Sequence, residues 1–154
     1  MSADLENILK AAASTVFTTM LNTTPDFEPH GGNFLDDEER VAGTVGITGS
    51  LDGMIYFYAS ASFSRRIACR MLSMSEAELD SNEIVNDVIG ELTNMMAGQI
   101  KVKLFQAGSH CLLTVPSVMR GANFKTVAIG HNVRKTVHFQ CLGGKAILEA
   151  SLKL

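Results

Sequence analysis

Residues 86–98 read NDVIGELTNMMAG, and this stretch decides how the rest of the chain is interpreted. At about 100° per residue, the apolar side chains in and around it fall on one broad face of a helix predicted over 83–104. That face comprises Val85, Val88, Ile89, Leu92, Met95, Met96 and Ile100. On the opposite side, four residues lie within roughly 60° of arc. We call them the polar stripe: Asp87, Glu91, Asn94 and Gly98.

Two glycines lie inside this helix, Gly90 beside the polar stripe and Gly98 within it. Each costs about 1 kcal/mol relative to alanine, so a helix that keeps both often does so because another surface comes close. That surface is either a partner molecule or another part of the same chain. A polar stripe is also what any amphipathic helix shows, and spacing alone favours a solvated face.

Apolar spacing predicts two further helices. The first covers 3–21. The second starts at about Ser62, the predicted N-cap, and ends at Ser73. Its inward-facing residues are predicted to be Ile67, Ala68, Met71 and Leu72.

Alternating or continuous apolar runs bounded by turn residues predict six strands. They cover 41–48, 54–59, 111–115, 124–129, 133–142 and 146–152. Asp52-Gly53 and Gly143-Gly144 are the hairpin signals, Pro116 ends a strand, and 26–40 has the composition of a loop. The expected fold is α+β, with about three helices packed on a mainly antiparallel sheet in a single domain spanning 1–154.

Composition excludes several classes of function. The net charge of −3 gives no basic patch for nucleic acid or for an anionic membrane surface. The acidic start MSADLENILK differs from a signal peptide, and no apolar run approaches the ~20 residues of a membrane span. Cys69, Cys111 and Cys141 form no CxxC pair, and the four histidines lack metal-ligand spacing. We therefore predict a cytoplasmic protein without a metal site.

The spacing Asp87-x3-Glu91-x2-Asn94, with Pro116 twenty-two positions after Asn94 (116 minus 94), resembles the signature of the CheC/CheX/FliY family. The flanks resemble the family too: GELTNMMAGQIKVKL its active helix, LTVPSVMRG the loop that follows, and GTVGITGSLDGMIYFYAS a glycine-punctuated hairpin. Many family members carry the signature on two helices. Here the first helix has Leu9 where the second asparagine would stand, so the chain is most similar to CheX.

The resemblance implies a CheC-like fold and hydrolysis of the aspartyl phosphate on a CheY-type response regulator. Asn94 would position the attacking water, and Glu91 would pair with the regulator's active-site lysine. The enzyme would need no cofactor of its own, because Mg²⁺ is expected on the regulator. The alternative is a binding module without catalysis, which sequesters a phosphorylated regulator in a signalling or flagellar assembly.

The resemblance also implies contacts around these two residues. Asp87 would orient the helix or touch the rim of the interface, and Gly90 and Gly98 would let the regulator's loops approach. Pro116 would shape the adjoining loop through its fixed φ. Members of the family similar to this chain form homodimers, so a homodimer is expected as well.

Overall fold

The computed structural model describes residues 2–29, 39–122, 124, 130, 131 and 133–153. Its helices are α1 (Ser2–Leu21), α2 (Ala61–Leu72) and α3 (Asn82–Gln106). Its strands are β1 (Asp26–Glu28), β2 (Arg40–Gly49), β3 (Asp52–Ser60), β4 (Cys111–Leu113), β5 (Ser117–Gly121), β6 (Val133–Cys141) and β7 (Gly144–Lys153). The predicted combination of three helices with an antiparallel sheet is confirmed.

The seven strands form one sheet in the order β1-β6-β7-β3-β2-β4, with β5 also paired to β2 and every pair antiparallel. Because β4 and β5 pair with successive parts of β2, they form one interrupted edge strand. Between them, the Thr114 amide donates to the Gly46 carbonyl at 3.0 Å. The Gly46 amide donates to Thr114 Oγ1 at 2.8 Å, so a side chain continues the pairing across the interruption.

Strand alternation separates the two faces of the sheet. In β3, Ile55 and Phe57 join the core formed with the helices, whereas Tyr56 and Tyr58 belong to a separate cluster. The Phe17 ring of α1 lies 6.0 Å from Phe57 and 5.2 Å from the Phe139 ring of β6, centroid to centroid. Each buried side chain of this size contributes about 1.5–3 kcal/mol, so these contacts attach α1 firmly to the sheet.

Helix α2 begins two residues earlier than the sequence suggested. The N-cap is Ser60, not Ser62, because the Ser60 hydroxyl accepts a hydrogen bond from the Phe63 amide at 3.1 Å. Ile67 is buried as predicted, but Leu72 is exposed, so the inward face was wrong at this end. The earlier start brings Phe63 inward instead, where it joins the core.

Residues 26–40 are not loop throughout, because Asp26–Glu28 forms β1 and pairs with β6. Phe27 explains the difference: its ring packs against Phe139 at 5.5 Å between centroids, which draws an otherwise polar segment onto the sheet edge. The strand predicted over 124–129 lies outside the described residues except for Phe124, which belongs to no strand.

Both hairpin turns are displaced from their predicted positions. In the β2–β3 hairpin, Asp52 and Gly53 already lie within β3, so the turn falls on residues 50 and 51. In the β6–β7 hairpin, Leu142 and Gly143 both adopt positive φ, at 50° and 71°. Gly144 pairs with Cys141 instead, and the Phe63 ring occupies the space that a β-carbon of residue 144 would need.

Candidate functional site

Helix α3, which carries the polar stripe, is fixed at both ends. At its start the Ser81 hydroxyl accepts a hydrogen bond from the Ile84 amide at 3.3 Å. Glu83 lies in the first turn, where a carboxylate interacts favourably with the helix dipole. At its end the Ser109 amide donates to the Leu104 carbonyl at 2.8 Å, and Gly108 turns the chain with φ of 97°. The helix therefore extends the predicted 83–104 by a residue or two at each end.

The rotation of α3 about its axis is set by a close contact with β2. Thr93 is fully buried, and its hydroxyl donates to the Ile89 carbonyl at 2.7 Å. Its side chain fills the space above Gly43, where a β-carbon would overlap it. Because successive helical residues are about 100° apart, anchoring Thr93 against the sheet turns the neighbouring Asn94 away from it.

The structure places the polar stripe at the surface. Asp87 and Glu91 are exposed, while Asn94 and Gly98 are half-exposed. Within the described ranges, the side chains of Asp87, Glu91 and Asn94 make no hydrogen bond or ion pair. Glu91 and Asn94 are three positions apart, which brings their β-carbons to within about 5–6 Å of each other. A carboxylate and a carboxamide are thus adjacent, accessible and unengaged.

The two helical glycines have different environments. Gly98 has open space where its β-carbon would be, so packing inside this molecule does not require a glycine there. Gly90 is buried, and a β-carbon would lie 3.3 Å from Val118 Cγ2 and 3.9 Å from Pro116 Cβ. The absence of a side chain at Gly90 thus admits this chain's own 116–118 segment. The contact of Gly90 with the regulator stays a prediction. Pro116 consequently lies against α3 at Gly90, the residue that flanks the polar stripe.

Sequence reasoning missed the residue that holds β5 to α3. Arg120 of β5 donates to Asn86 Oδ1 from Nη2 at 2.9 Å and from Nε at 3.3 Å. Its Nη1 also forms an ion pair with Glu39 at 3.1 Å. Asn86 immediately precedes Asp87, so this contact positions the N-terminal end of the polar stripe. The sequence offers no signal for a pair separated by thirty-four positions (120 minus 86), particularly when β5 itself was predicted as loop.

Among the residues that the structure describes, there is no cluster of three or more His, Cys, Asp or Glu side chains suited to a metal ion. The three cysteines are free thiols, with Cys111 buried. In the same part of the chain, no helix combines the length and the apolar character needed to cross a membrane.

The antiparallel sheet with three helices is the CheC-like fold, which a CheC-like superfamily protein from Shewanella sp. PV-4 shares with a TM-score of 0.79, 24% identity and 100% of each chain covered. The chain matches the family described as chemotaxis phosphatase CheX over residues 41–140, and it belongs to that family. It is similar to the CheY-P phosphatase CheX of Thermotoga maritima, with 29% identity over 132 residues and 84% of each chain covered.

Solved structures share the fold. The chemotaxis protein CheX of Vibrio vulnificus has a TM-score of 0.83 and 22% identity, with 99% of each chain covered. A CheX-CheY-BeF3-Mg²⁺ complex from Borrelia burgdorferi has a TM-score of 0.72 and 21% identity, covering 96% of this chain and 97% of the other. The predicted CheC-like fold and the resemblance to CheX are thus confirmed.

Proposed function

We propose that this protein hydrolyses the aspartyl phosphate of a CheY-type response regulator, with Asn94 and Glu91 as the residues that enter the regulator's active site. Membership of the chemotaxis phosphatase family supports the reaction. The partner is supported by two relatives, because the Thermotoga maritima protein is a CheY-P phosphatase and the Borrelia burgdorferi complex contains CheY. The observation that carries the proposal is the adjacent, accessible and unengaged Glu91–Asn94 pair.

The reaction requires little covalent chemistry from the protein. A water oxygen bonds to phosphorus, and the bond from phosphorus to the aspartyl oxygen breaks. The aspartate leaves as a carboxylate, and the water's proton passes to the released inorganic phosphate. Such transfers proceed in line through a loose transition state, so catalysis consists mainly of positioning and charge stabilisation. The regulator would hold the Mg²⁺ that balances the phosphoryl charge.

Asn94 suits the positioning of the water. Its carboxamide offers an acceptor and two donors, and it stays uncharged at any pH of interest. An oriented water replaces one drawn from bulk solvent, and orientation of this kind lowers a barrier without a covalent intermediate. Asn94 is half-exposed at the middle of α3, where a partner's pocket can reach it.

Glu91 suits a contact with a cation. It is exposed and lies one helical turn before Asn94, so a lysine bonded to Glu91 would be held close to the water that Asn94 orients. An ion pair that becomes desolvated at an interface fixes register more than it adds affinity. Glu91 would therefore determine where along the helix the regulator docks.

The neighbouring residues would shape access to this pair. Asp87 continues the polar stripe at the rim, and Gly98 leaves open space for an approaching loop. Pro116 borders the site because it packs on Gly90. Gly90 would thus act by positioning the 116–118 segment. We propose that residues 1–154 form one domain. We expect it to meet the regulator in the cytoplasm, and the homodimer stays a prediction.

The test is the decay of a phosphorylated regulator. A CheY-type regulator from the same organism is labelled on its aspartate, and phosphate release is followed with catalytic amounts of the protein. Wild type should accelerate release, and Asn94→Ala should reduce kcat by roughly 10²-fold or more, as expected for the loss of a positioning group. Gln106→Ala, which removes an exposed amide from the end of the same helix, is the matched control and should retain full activity.

Two results decide between catalysis and simple binding. If wild type binds the phosphorylated regulator without accelerating phosphate release, the protein is a sequestering module and the enzymatic proposal fails. If wild type is active and Asn94→Ala keeps that activity while remaining folded, the enzyme is confirmed but the role of Asn94 is wrong. A circular dichroism melt of each variant establishes that it is folded.

A further inference from the structure

The polar stripe of α3 continues into an exposed apolar patch, which we define as Val102, Phe105 and Leu112. We infer that this patch is a second docking area for the same response regulator, in contact with an apolar part of the regulator's surface outside its acidic pocket. The inference rests on the proposed function, because it assigns a further contact to the partner named there. It concerns affinity and leaves the chemical step to Glu91 and Asn94.

The patch lies on the same line of the helix as the polar stripe. Phe105 follows Asp87 by eighteen positions (105 minus 87), which at 3.6 residues per turn is five complete turns. Val102 follows Glu91 by eleven positions (102 minus 91), the same interval that separates Gly98 from Asp87. A molecule lying along the polar stripe therefore meets Val102 and Phe105 without any bend in α3.

The three side chains are unusually accessible for apolar residues. The exposed fraction is 50% for Val102, 59% for Phe105 and 67% for Leu112. Phe105 and Leu112 also line a shallow cavity of about 380 Å³ between the end of α3 and β4. Contiguous exposed apolar surface on a soluble protein commonly marks an interaction site, because leaving it in water is unfavourable.

The Phe105 ring contacts a second ring at the end of α3. It meets the His110 ring edge-on, with 4.8 Å between centroids. The backbone of His110 is held against the β2–β3 turn, because its amide donates to Ser50 Oγ at 3.0 Å and its carbonyl accepts from the Ser50 amide at 3.0 Å. A phenylalanine side chain has only two χ angles, so it offers a large contact area at a low cost in conformational entropy, which suits it to anchor a partner.

The size of a protein interface favours the regulator as the occupant. A stable complex buries about 800 Å² on each partner, a roughly circular area about 32 Å across. At 1.5 Å per residue, Val102 lies about 14 Å and Phe105 about 19 Å along the helix from the midpoint of Glu91 and Asn94. A regulator centred on the Glu91–Asn94 pair would therefore have its contact edge within the patch, between Val102 and Phe105. The competing occupant of the patch is a second copy of this chain.

The test separates affinity from turnover. Phe105→Ser and Leu112→Ser are combined in one variant, and kcat and KM for the phosphorylated regulator are compared with wild type. Loss of an aromatic anchor and its neighbour should raise KM by roughly tenfold or more while kcat stays unchanged. Leu72→Ser, which removes an exposed leucine from α2, is the matched control and should leave both constants at their wild-type values.

Each outcome bears on one proposal. An active variant with wild-type KM overturns the docking area, and so does a variant whose only change is a loss of self-association in sedimentation equilibrium. If wild type has no phosphatase activity, the proposed reaction fails on its own. The docking area is then judged by calorimetric binding of the regulator activated with beryllofluoride, where the double variant must bind at least about tenfold more weakly than Leu72→Ser.

Discussion

The guanidinium of Arg120 donates to a single oxygen, Asn86 Oδ1, through both Nη2 and Nε, at 2.9 and 3.3 Å. This pair joins the edge strand β5 to α3 one residue before Asp87. It is partly buried, so its loss leaves the Asn86 oxygen without the partner that replaces water. The contact holds the N-terminal half of the polar stripe at a fixed distance from the sheet.

Replacing Arg120 with methionine tests this contact, because the apolar stem is retained and the charge is removed. We expect the free energy of unfolding to fall by about 1–3 kcal/mol, the range for losing hydrogen bonds from a charged donor. Urea denaturation measures the change. Glu39→Gln removes only the more exposed ion pair at 3.1 Å and should cost no more than about 1 kcal/mol. Equal costs for the two variants would contradict a special role for Asn86.

Replacing each helical glycine with alanine distinguishes their roles. Gly98→Ala meets open space, so we expect it to stabilise the protein by about 0.5–1 kcal/mol through helix propensity. The added methyl should nevertheless raise KM for the phosphorylated regulator, because Gly98 lies in the proposed interface. Thermal unfolding and steady-state kinetics give the two values.

Gly90→Ala is the internal comparison, since its new methyl would lie 3.3 Å from Val118 Cγ2. We expect a smaller gain in stability than at Gly98, because the 116–118 segment must move by a few tenths of an ångström. A Gly98→Ala protein with wild-type KM would remove residue 98 from the interface. A Gly90→Ala gain that matches the gain at Gly98 would show that the 116–118 segment yields freely.

The Gly43–Thr93 contact should be sensitive to a single methyl. Gly43→Ala forces a β-carbon into the Thr93 side chain, and overpacking of this kind costs typically about 1–3 kcal/mol. Thr93→Ala in the same chain should recover part of that loss, because it removes the atoms that overlap. A double-mutant cycle by urea denaturation measures the coupling, and additive changes in the free energy of unfolding would show that the two residues do not interact.

Burial raises the pKa of the Cys141 thiol to about 11, from an ordinary 9.0. At pH 8 its thiolate fraction is then about 0.1%, against about 10% in the unfolded chain, so alkylation should be on the order of 100-fold slower in the folded protein. Iodoacetamide labelling of Cys141, with and without urea and read by mass spectrometry, tests this. Equal rates in the two states would be inconsistent with a buried thiol.

The same shift has a defined sign for stability. The native state binds the Cys141 proton more tightly than the unfolded state, so this contribution is fully present below pH 9 and is lost as pH rises towards 11. Cys141→Ala should therefore show a shallower fall in urea midpoint between pH 9 and 10.5 than wild type. Parallel pH profiles for the two proteins would assign the alkaline sensitivity to other groups.

Local chemistry made the central prediction reliable. In α3 the apolar period, the serine N-cap and the acidic first turn all favour the same helix, so its extent and its exposed stripe follow from residues within it. The paired strands of the two hairpins were also predictable, because each is a run of β-favouring residues bounded by glycine. The error at the β6–β7 turn arose because an unexpected residue, Leu142, adopted the left-handed conformation.

Contacts distant in sequence produced the errors. Asp26–Glu28 has the composition of a loop, but it forms a strand because Phe27 packs against Phe139, more than a hundred positions away. Residues 117–121 look like loop until they pair with β2 and reach Asn86 through Arg120. Neither segment has enough local preference to become a strand alone, so packing elsewhere in the chain determines its state.

The sequence by itself determined which residues α3 presents to solvent, because helical periodicity assigns each side chain an angle that needs no knowledge of the rest of the fold. It also determined the family, through the spacing of Asp87, Glu91, Asn94 and Pro116. Only the tertiary structure decided that Gly90 faces inward onto Pro116 while Gly98 faces open space. A glycine has no side chain to indicate its direction, and what fills the space beside it comes from a distant strand.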